Sequence, residues 1–160
     1  MHYLIDTNIC IYLMNQRPHS LIQKLKQFPV GDIGISSITL AELQYGVSKS
    51  KKKEKNQTRL NEFLVPFEIL PFDERHTIPY GEIRSQLEKA GKIIGPLDLL
   101  IAAHALTEEL VLVTNNVKEF KKVKGLSVGN WKQSFKKMDA KRPQLLSHAE
   151  RGNEERCRVD

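Results

Sequence analysis

The chain has 160 residues, of which 40% are hydrophobic and 28% charged, so it can bury one core of ordinary domain size. Its 25 Lys and Arg residues outnumber its 19 Asp and Glu residues, and the resulting net charge of +6 favours a polyanionic partner. No apolar stretch approaches the roughly 20 residues that cross a bilayer, and the N-terminus lacks the pattern of a secretory signal. These features predict a cytoplasmic protein rather than a membrane or secreted one.

Short apolar runs alternate with helical patterns along the chain. The predicted strands are YLID, DIGIS, FEILPFD and LVLVT, at residues 3–6, 32–36, 67–73 and 110–114. A helix start follows the first strand at Thr7 and Asn8, and further helices are predicted at 20–28, 37–50, 55–65, 80–91 and 96–109. Strands that alternate with helices of about 10 to 15 residues indicate an α/β fold, with a parallel sheet covered on both faces.

The fold is predicted to occupy one domain, residues 1–133. From about Ser134 onward the sequence is polar, charged and almost free of aromatic residues, which predicts a flexible tail over residues 134–160. Cys10 and Cys157 have no neighbouring Cys, so neither a thiolate metal site nor a disulfide framework is expected.

Three acids stand where such a fold places a ligand site. Asp6 ends the first strand, Glu42 lies in the first turns of the helix after the second strand, and Asp98 opens the helix before the last strand. Because ligands bind outside the carboxyl ends of parallel strands, the three carboxylates are predicted to converge there. Converging carboxylates repel one another unless a cation neutralises them. Oxygen ligands without a nearby Cys or His suit Mg²⁺ or Mn²⁺ rather than zinc.

Each acid also has an ordinary structural explanation. Asp6 could cap the helix that starts at Thr7, and Glu42 follows Thr39 at the spacing of a capping box. Asp98 lies in the first turn of a helix, where the positive end of the helix dipole favours an acid. The occurrence of all three acids at one predicted sheet edge favours the metal site.

Four sequence blocks resemble those of PIN-domain ribonucleases, specifically the VapC toxins of bacterial toxin–antitoxin pairs. In order, the blocks are LIDTNICIYL, SSITLAELQYGV, IGPLDLLIAAHAL and LVLVTNNVKEFKKVKGLSVGNW, and the resemblance runs from Tyr3 to about Trp131. It implies a three-layer α/β/α PIN-like domain with a central parallel sheet and toxic, Mg²⁺- or Mn²⁺-dependent endonuclease cleavage of RNA by a metal-activated water. By position, Asp6, Glu42 and Asp98 would be the catalytic acids, with Asp6 and Asp98 as metal ligands.

The resemblance also implies partners. A VapB-like antitoxin would bind the chain, which would form a homodimer or a hetero-oligomer with the antitoxin. Toxins with these blocks imply a tRNA substrate, cut in the anticodon region of initiator tRNA. The basic stretch SKSKKKEK at 48–55, with Lys51, Lys52 and Lys53, could neutralise RNA phosphates, or it could be a solvated linker between two helices.

One position departs from the family pattern. Many PIN domains carry a fourth acid soon after the Thr of the last strand, whereas Thr114 is followed here by two Asn residues. Either Asn116 supplies an amide oxygen or a bridging water, or Glu119 reaches the site from the next turn. The alternative for Glu119 is a solvated helix acid. Thr7, Asn8 and Thr114 are predicted to orient the carboxylates, although Thr7 could equally be a capping residue.

Other functions are less consistent with these residues. A haloacid dehalogenase-type phosphatase would need an acid where Asn8 stands, and a receiver domain would need neighbouring acids beside the first strand. A metal-free route through the RNA 2′-hydroxyl would need paired histidines, and the order of His2, His19, His76, His104 and His148 suggests no pair. The serious alternative is a non-catalytic PIN-like module that binds RNA or a protein.

Overall fold

The computed structural model describes residues 1–131, and the predicted tail at 134–160 lies outside the described residues. The elements, in chain order, are β1 (Tyr3–Ile5), α1 (Thr7–Met14), α2 (His19–Leu25), β2 (Ile33–Ser36), α3 (Ser37–Lys49), α4 (Lys53–Leu64), β3 (Glu68–Leu70), a 3-10 turn (Glu74–His76), α5 (Thr77–Lys89), α6 (Pro96–Thr107), β4 (Val111–Val113), α7 (Val117–Phe120) and β5 (Val128–Gly129). None of the helices within residues 1–131 is long and apolar enough to cross a membrane.

All strands of the described sheet are parallel, in the order β3-β2-β1-β4-β5. The chain moves outward from β1 to β3, then crosses back to place β4 on the other side of β1. The strand order therefore reverses between β1 and β4, and a crevice opens at the carboxyl ends of these two strands. Ile5 pairs with Val113 in the register of β1 and β4, so the residues that follow these strands start side by side.

The sheet separates two apolar cores, which gives the three-layer α/β/α architecture that the sequence predicts. Leu4 and Leu112 point into the core beneath α5 and α6, whereas Ile5 and Val113 point into the core beneath α1, α3 and α4. Adjacent strand residues point to opposite faces. Both cores hold fully buried side chains, which explains why the central strands are almost entirely apolar.

Several boundaries differ from the sequence-based expectations. The third strand covers Glu68–Leu70 only, because Pro71 has no N–H for a sheet ladder. α5 begins at Thr77, since Pro79 falls in the first helical turn, where proline is tolerated. The two-residue β5 and the short α7 were not predicted.

The interpretation of Thr39 and Glu42 as a capping box is wrong. α3 begins at Ser37, and its N-cap is Ser36, whose Oγ accepts a hydrogen bond from the N–H of Ile38 at 3.1 Å. Thr39 is fully buried within the helix. Glu42 is thus free of a capping role.

Candidate active site

Asp6 is anchored at the carboxyl edge of the sheet by two hydrogen bonds. It directly follows β1 and caps α1, where its Oδ1 accepts a hydrogen bond from the N–H of Ile9 at 2.8 Å. Its Oδ2 accepts a hydrogen bond from the Oγ1 of Thr114, which directly follows β4. The side chain is only 4% exposed. Capping and metal ligation by Asp6 are compatible, because each carboxylate oxygen keeps a further lone pair.

Glu42 and Asp98 approach the same edge from two different helices. Glu42 lies in the second turn of α3, and its Oε2 accepts a hydrogen bond from the Oγ1 of Thr7 at the start of α1. Asp98 lies in the first turn of α6, where Pro96 is the first helical residue. Both acids are half-buried. The starts of α1, α3 and α6 therefore each contribute to one polar edge.

The pKa values of Asp6 and Asp98 are both raised, by burial and by the negative charges of neighbouring acids. Burial is the main cause that raises the pKa of Asp6 to about 6, and the charges of Asp98 and Glu42 act in the same direction. Burial, followed by the charges of Glu42 and Glu119, raises the pKa of Asp98. Within residues 1–131, no Lys, Arg or His forms an ion pair with Asp6, Glu42 or Asp98. Asp6, Glu42 and Asp98 are therefore three carboxylates that no basic side chain in this range neutralises by an ion pair.

The side chain of Glu119, on α7, lies close enough for its charge to act on Asp98, whereas Asn116 forms hydrogen bonds through its backbone. The charge of Glu119 contributes to the raised pKa of Asp98, and its Oε2 lies 2.6 Å from the Nζ of Lys122. The N–H of Asn116 donates to the Oγ1 of Thr114 at 2.9 Å, and its carbonyl accepts from the N–H of Glu119 at 3.1 Å. Of the two residues considered for the fourth position, Glu119 is the one whose side-chain charge acts on the acids.

Of the other predicted site residues, two threonines contact the acids directly, whereas Asn8 and the basic stretch do not. Thr7 and Thr114 each donate a hydrogen bond to a carboxylate. Asn8 is exposed, and within residues 1–131 its side chain donates no hydrogen bond to any of the acids. The basic stretch runs from the end of α3 across the turn to the start of α4, and it begins roughly 10 Å from Glu42 along the helix axis. All of its lysines are exposed, including Lys51, Lys52 and Lys53.

Asn115 is a residue of this edge that sequence reasoning did not single out. Both polar atoms of its side-chain amide are buried, and neither has a hydrogen-bond partner among residues 1–131. A buried amide without partners is costly, so a ligand or water molecule that contacts both atoms would stabilise the Asn115 side chain. The pair of Asn residues directly after the last predicted strand was the available signal in the sequence.

The donors at this edge fit a divalent metal ion. The candidate donors are carboxylate oxygens from Asp6, Glu42 and Asp98, with Glu119 nearby, and oxygen ligands of this kind suit hard cations. A bound cation would also offset the burial and, to a smaller extent, the mutual repulsion that raise the pKa values of Asp6 and Asp98. A divalent metal therefore satisfies both the chemistry and the electrostatics of the cluster.

The expectation that the histidines form no pair is wrong. The rings of His76 and His104 lie 4.3 Å apart between centroids, and both side chains are fully buried. The pair is formed by the 3-10 turn after β3 and the last turns of α6. Since His104 stands six residues after Asp98 on α6, about 9 Å along the helix, the pair is separate from the acidic edge.

Comparison with known proteins places the chain in a family. The PIN domain family model matches residues 3–126. Ribonuclease VapC2 from Rickettsia felis is 54% identical over 132 residues, which is 82% of this chain and 98% of that protein. The tRNA(fMet)-specific endonuclease VapC from Shigella flexneri is 37% identical, with the same shares covered.

Solved structures show the same architecture. One such structure is VapBC2 from Rickettsia felis, bound to a DNA fragment from the promoter of VapBC2. One of its chains superposes on this protein with a TM-score of 0.78 at 53% identity, covering 82% of this chain and 99% of that chain. DNA-bound VapBC from Salmonella typhimurium gives a TM-score of 0.78 at 36% identity, with 82% and 98% covered. The chain belongs to the PIN-domain family and, within it, to the VapC ribonucleases.

Proposed function

We propose that this chain is the toxic endoribonuclease of a toxin–antitoxin pair and that it hydrolyses an RNA phosphodiester with the help of Mg²⁺, or of Mn²⁺ in its place. The single observation that carries the proposal is the acidic cluster at the reversal of strand order, where Asp6, Glu42 and Asp98 meet without a basic partner within residues 1–131. Relatives that are named ribonucleases support the activity.

The roles of the acids follow from how each is held. Asp6 and Asp98 would bind the metal directly, because Asp6 is fixed by two hydrogen bonds and Asp98 projects from the start of a helix. Glu42, fixed by Thr7, would bind the ion or orient the attacking water. When bound, the divalent ion supplies a more acidic water and shields the charge that develops on the phosphoryl oxygens.

Side chains around the acids would position the carboxylates for cleavage by water. Thr114 and Thr7 hold two carboxylates in fixed rotamers, which limits the reorganisation needed when RNA binds. Attack by water, rather than by the ribose 2′-hydroxyl, leaves a 5′-phosphate and a 3′-hydroxyl. The buried His pair has no place in this route.

The substrate we propose is tRNA, cut in the anticodon region of initiator tRNA. Support comes from the relative in Shigella flexneri, which is named a tRNA(fMet)-specific endonuclease. Lys51, Lys52 and Lys53 are exposed in the turn between α3 and α4 and at the first residue of α4, so they are available to phosphates. Such contacts add affinity without reading sequence.

The partner we propose is a VapB-like antitoxin, supported by neighbours whose structures are VapBC complexes. Large apolar side chains remain exposed on three helices around the acidic edge, at Ile11 of α1, Tyr45 of α3 and Leu97 of α6. An antitoxin segment would cover apolar surface of this kind and place a basic side chain among the acids, in competition with metal.

Incubation of the purified full-length chain with total tRNA tests this function. We expect cleavage with Mg²⁺, none with EDTA, and none with Asp98→Asn, while Glu109→Gln, which changes an exposed acid just beyond the other end of α6, cleaves like the parent. Mapping of the product ends should give 5′-phosphates. Binding of tRNA without any cleavage would instead favour the non-catalytic PIN-like module.

A further inference from the structure

A second cluster of potential metal ligands lies away from the acidic edge. His76 belongs to the 3-10 turn after β3, while His104 and Glu108 stand at the end of α6. One ligand atom from each of these three residues lies within 4.8 Å of the other two. The two histidines are fully buried, and the Glu108 side chain is 27% exposed.

The geometry of α6 and the turn creates this grouping. His104 and Glu108 are four residues apart, so they project from the same face of the helix end. His76 reaches them from the turn, with its Nε2 3.2 Å from the Oε1 of Glu108. Residues from two separate elements therefore converge on one point.

His104 has one nitrogen engaged and one without a partner. Its Nδ1 lies 2.9 Å from the Oγ of Ser36, and its buried Nε2 has no hydrogen-bond partner among residues 1–131. Full burial of the side chain favours the neutral form of this ring. A neutral ring with Nδ1–H donated to Ser36 offers an unused Nε2 lone pair.

His76 is held in a similar manner by Asp73. Its Nδ1 lies 2.9 Å from the N–H of Asp73, which donates to it, and 3.0 Å from the Oδ1 of the same residue. While Nδ1 accepts from the Asp73 N–H, the proton of the neutral ring lies on Nε2 and is donated to Glu108. To bind a metal through Nε2, the ring would move this proton to Nδ1, where the Asp73 carboxylate accepts it in place of the backbone hydrogen bond. A carboxylate behind the ring is the arrangement that orients metal-ligating histidines.

Arg75 forms ion pairs with Glu108 of this cluster and with Asp73 beside it. Its Nη2 lies 3.1 Å from the Oε1 of Glu108 and 3.0 Å from the Oδ2 of Asp73. The Arg75 side chain is 60% exposed, so it can move toward water when a cation takes its place on Glu108. Arg75 and a metal ion would thus compete for the same carboxylate.

We propose that His76, His104 and Glu108 form a binding site for Zn²⁺, distinct from the acidic edge. Two imidazole nitrogens and one carboxylate oxygen are a zinc donor set, with water completing the tetrahedron, whereas Mg²⁺ prefers oxygen ligands alone. The bound ion ties the turn after β3 to the end of α6. Because α6 also carries Asp98, zinc stabilises the helix that holds part of the acidic edge.

Titration of the metal-free, full-length chain with Co²⁺ tests the site, because tetrahedral Co²⁺ with nitrogen ligands absorbs visible light and Zn²⁺ displaces it. Mg²⁺ in excess keeps Co²⁺ from the acidic edge. We expect one equivalent of Co²⁺ in the parent chain, with the absorption abolished by one equivalent of Zn²⁺. We also expect Zn²⁺ to raise the melting temperature.

Variants assign the signal to these residues. Glu108→Gln and His76→Gln should each weaken Co²⁺ binding by roughly 10-fold or more, whereas Glu109→Gln, a neighbouring exposed acid, and Asp98→Asn should keep it. Arg75→Gln should bind Co²⁺ more tightly, because the competing cation is lost. Melting in EDTA establishes that each variant is folded.

Three results would overturn the zinc site. The first is a parent chain that binds no Co²⁺ and is not stabilised by Zn²⁺. The second is an absorption that persists unchanged in folded Glu108→Gln and His76→Gln. The third is an absorption lost in Asp98→Asn, which would assign the ion to the acidic edge.

Discussion

The hydroxyl of Thr114 donates a hydrogen bond to Asp6 across 108 positions of the sequence, and it does so at the point where the strand order reverses. The N–H of Asp6 also donates to the carbonyl of Val113 at 3.1 Å, so the two strand ends are joined by backbone and side chain. Thr114 in turn accepts from the N–H of Asn116 at 2.9 Å. Asp6 is therefore oriented before any cation or RNA arrives.

Removal of this hydroxyl should weaken the site without removing an acid. We expect Thr114→Val to lower Mg²⁺ affinity and cleavage by roughly 10- to 100-fold, the usual cost of losing a group that orients a metal ligand. Thr114→Ser keeps the hydroxyl and should stay within a few-fold of the parent. Mg²⁺ titrations of tRNA cleavage compare the three chains. Equal metal dependence for Val and Ser would show that the hydroxyl does not position Asp6.

Changes to the three central acids should abolish activity and leave the fold intact. Asp6→Asn, Glu42→Gln and Asp98→Asn each remove a charge from a cluster whose members repel one another. Cleavage and toxicity in cells should be lost, while the melting temperature in EDTA stays level or rises. A variant that keeps full Mg²⁺-dependent activity would exclude its residue from the site.

The raised pKa of Asp6 predicts how the stability of the metal-free chain depends on pH. Burial raises this pKa from 3.8 to about 6 in the folded state, so below pH 3.8 the carboxyl is neutral in both states and costs nothing. Between about pH 4 and 6 the unfolded state has lost this proton while the folded state still holds it, so the free energy of unfolding falls by about 2 to 3 kcal/mol. Above about pH 6 the carboxyl is ionised in both states, and this loss is complete.

Urea unfolding in EDTA, with Asp6→Asn as the reference chain, checks this dependence. The free energy of unfolding of the parent should fall relative to that of Asp6→Asn between pH 4 and 6, then stay level. Excess Mg²⁺ at neutral pH should make the parent more stable than Asp6→Asn, because only the parent keeps the full set of ligands and is stabilised by the bound ion. Parallel pH profiles for the two chains would contradict the raised pKa.

The acidic edge was accessible to sequence reasoning because two of its acids are tied to recognisable local signals and Glu42 lies on the helix that follows the second predicted strand. Asp6 ends an apolar strand, and Asp98 follows Pro96 at a helix start. The pairing of His76 with His104 was not accessible, since it depends on how the turn after β3 packs against the end of α6, 28 positions away. The two-residue β5 is too short to carry an alternating pattern.

The lysines of the turn between α3 and α4 should contribute affinity for RNA that depends on salt. Replacement of Lys51, Lys52 and Lys53 by Gln should reduce the slope of log affinity against log salt concentration by up to about 2 to 3, since each phosphate contact contributes about 0.7 to 0.9. Lys26→Gln, an exposed change at the end of α2, should keep the parent slope. Filter binding of tRNA to the Asp98→Asn background measures both without cleavage. An unchanged slope in the triple variant would assign these lysines to a solvated linker.

Glu119 and Asn116 are the two candidates for the fourth position of the acidic edge, and substitutions distinguish between them. Because the charge of Glu119 acts on Asp98 while Asn116 engages Thr114 through its backbone, we expect Glu119→Gln to lower Mg²⁺ affinity by roughly 10- to 100-fold. Asn116→Ala keeps the backbone contact and should remain close to the parent.

Titration of cleavage with Mg²⁺ for these two variants, together with Asn116→Asp, tests that assignment. If the Asn116 side chain were the contact instead, Asn116→Ala would be the damaging change, and Asn116→Asp would strengthen metal binding because a carboxylate replaces a neutral oxygen. Glu119→Gln also frees Lys122, whose Nζ lies 2.6 Å from the carboxylate, so Lys122→Gln serves as the control for loss of that ion pair alone. A drop in Mg²⁺ affinity in Glu119→Gln that Lys122→Gln does not reproduce would assign the effect to metal ligation. Equal metal dependence in all four variants would leave Asp6, Glu42 and Asp98 to hold the ion with water in the remaining positions.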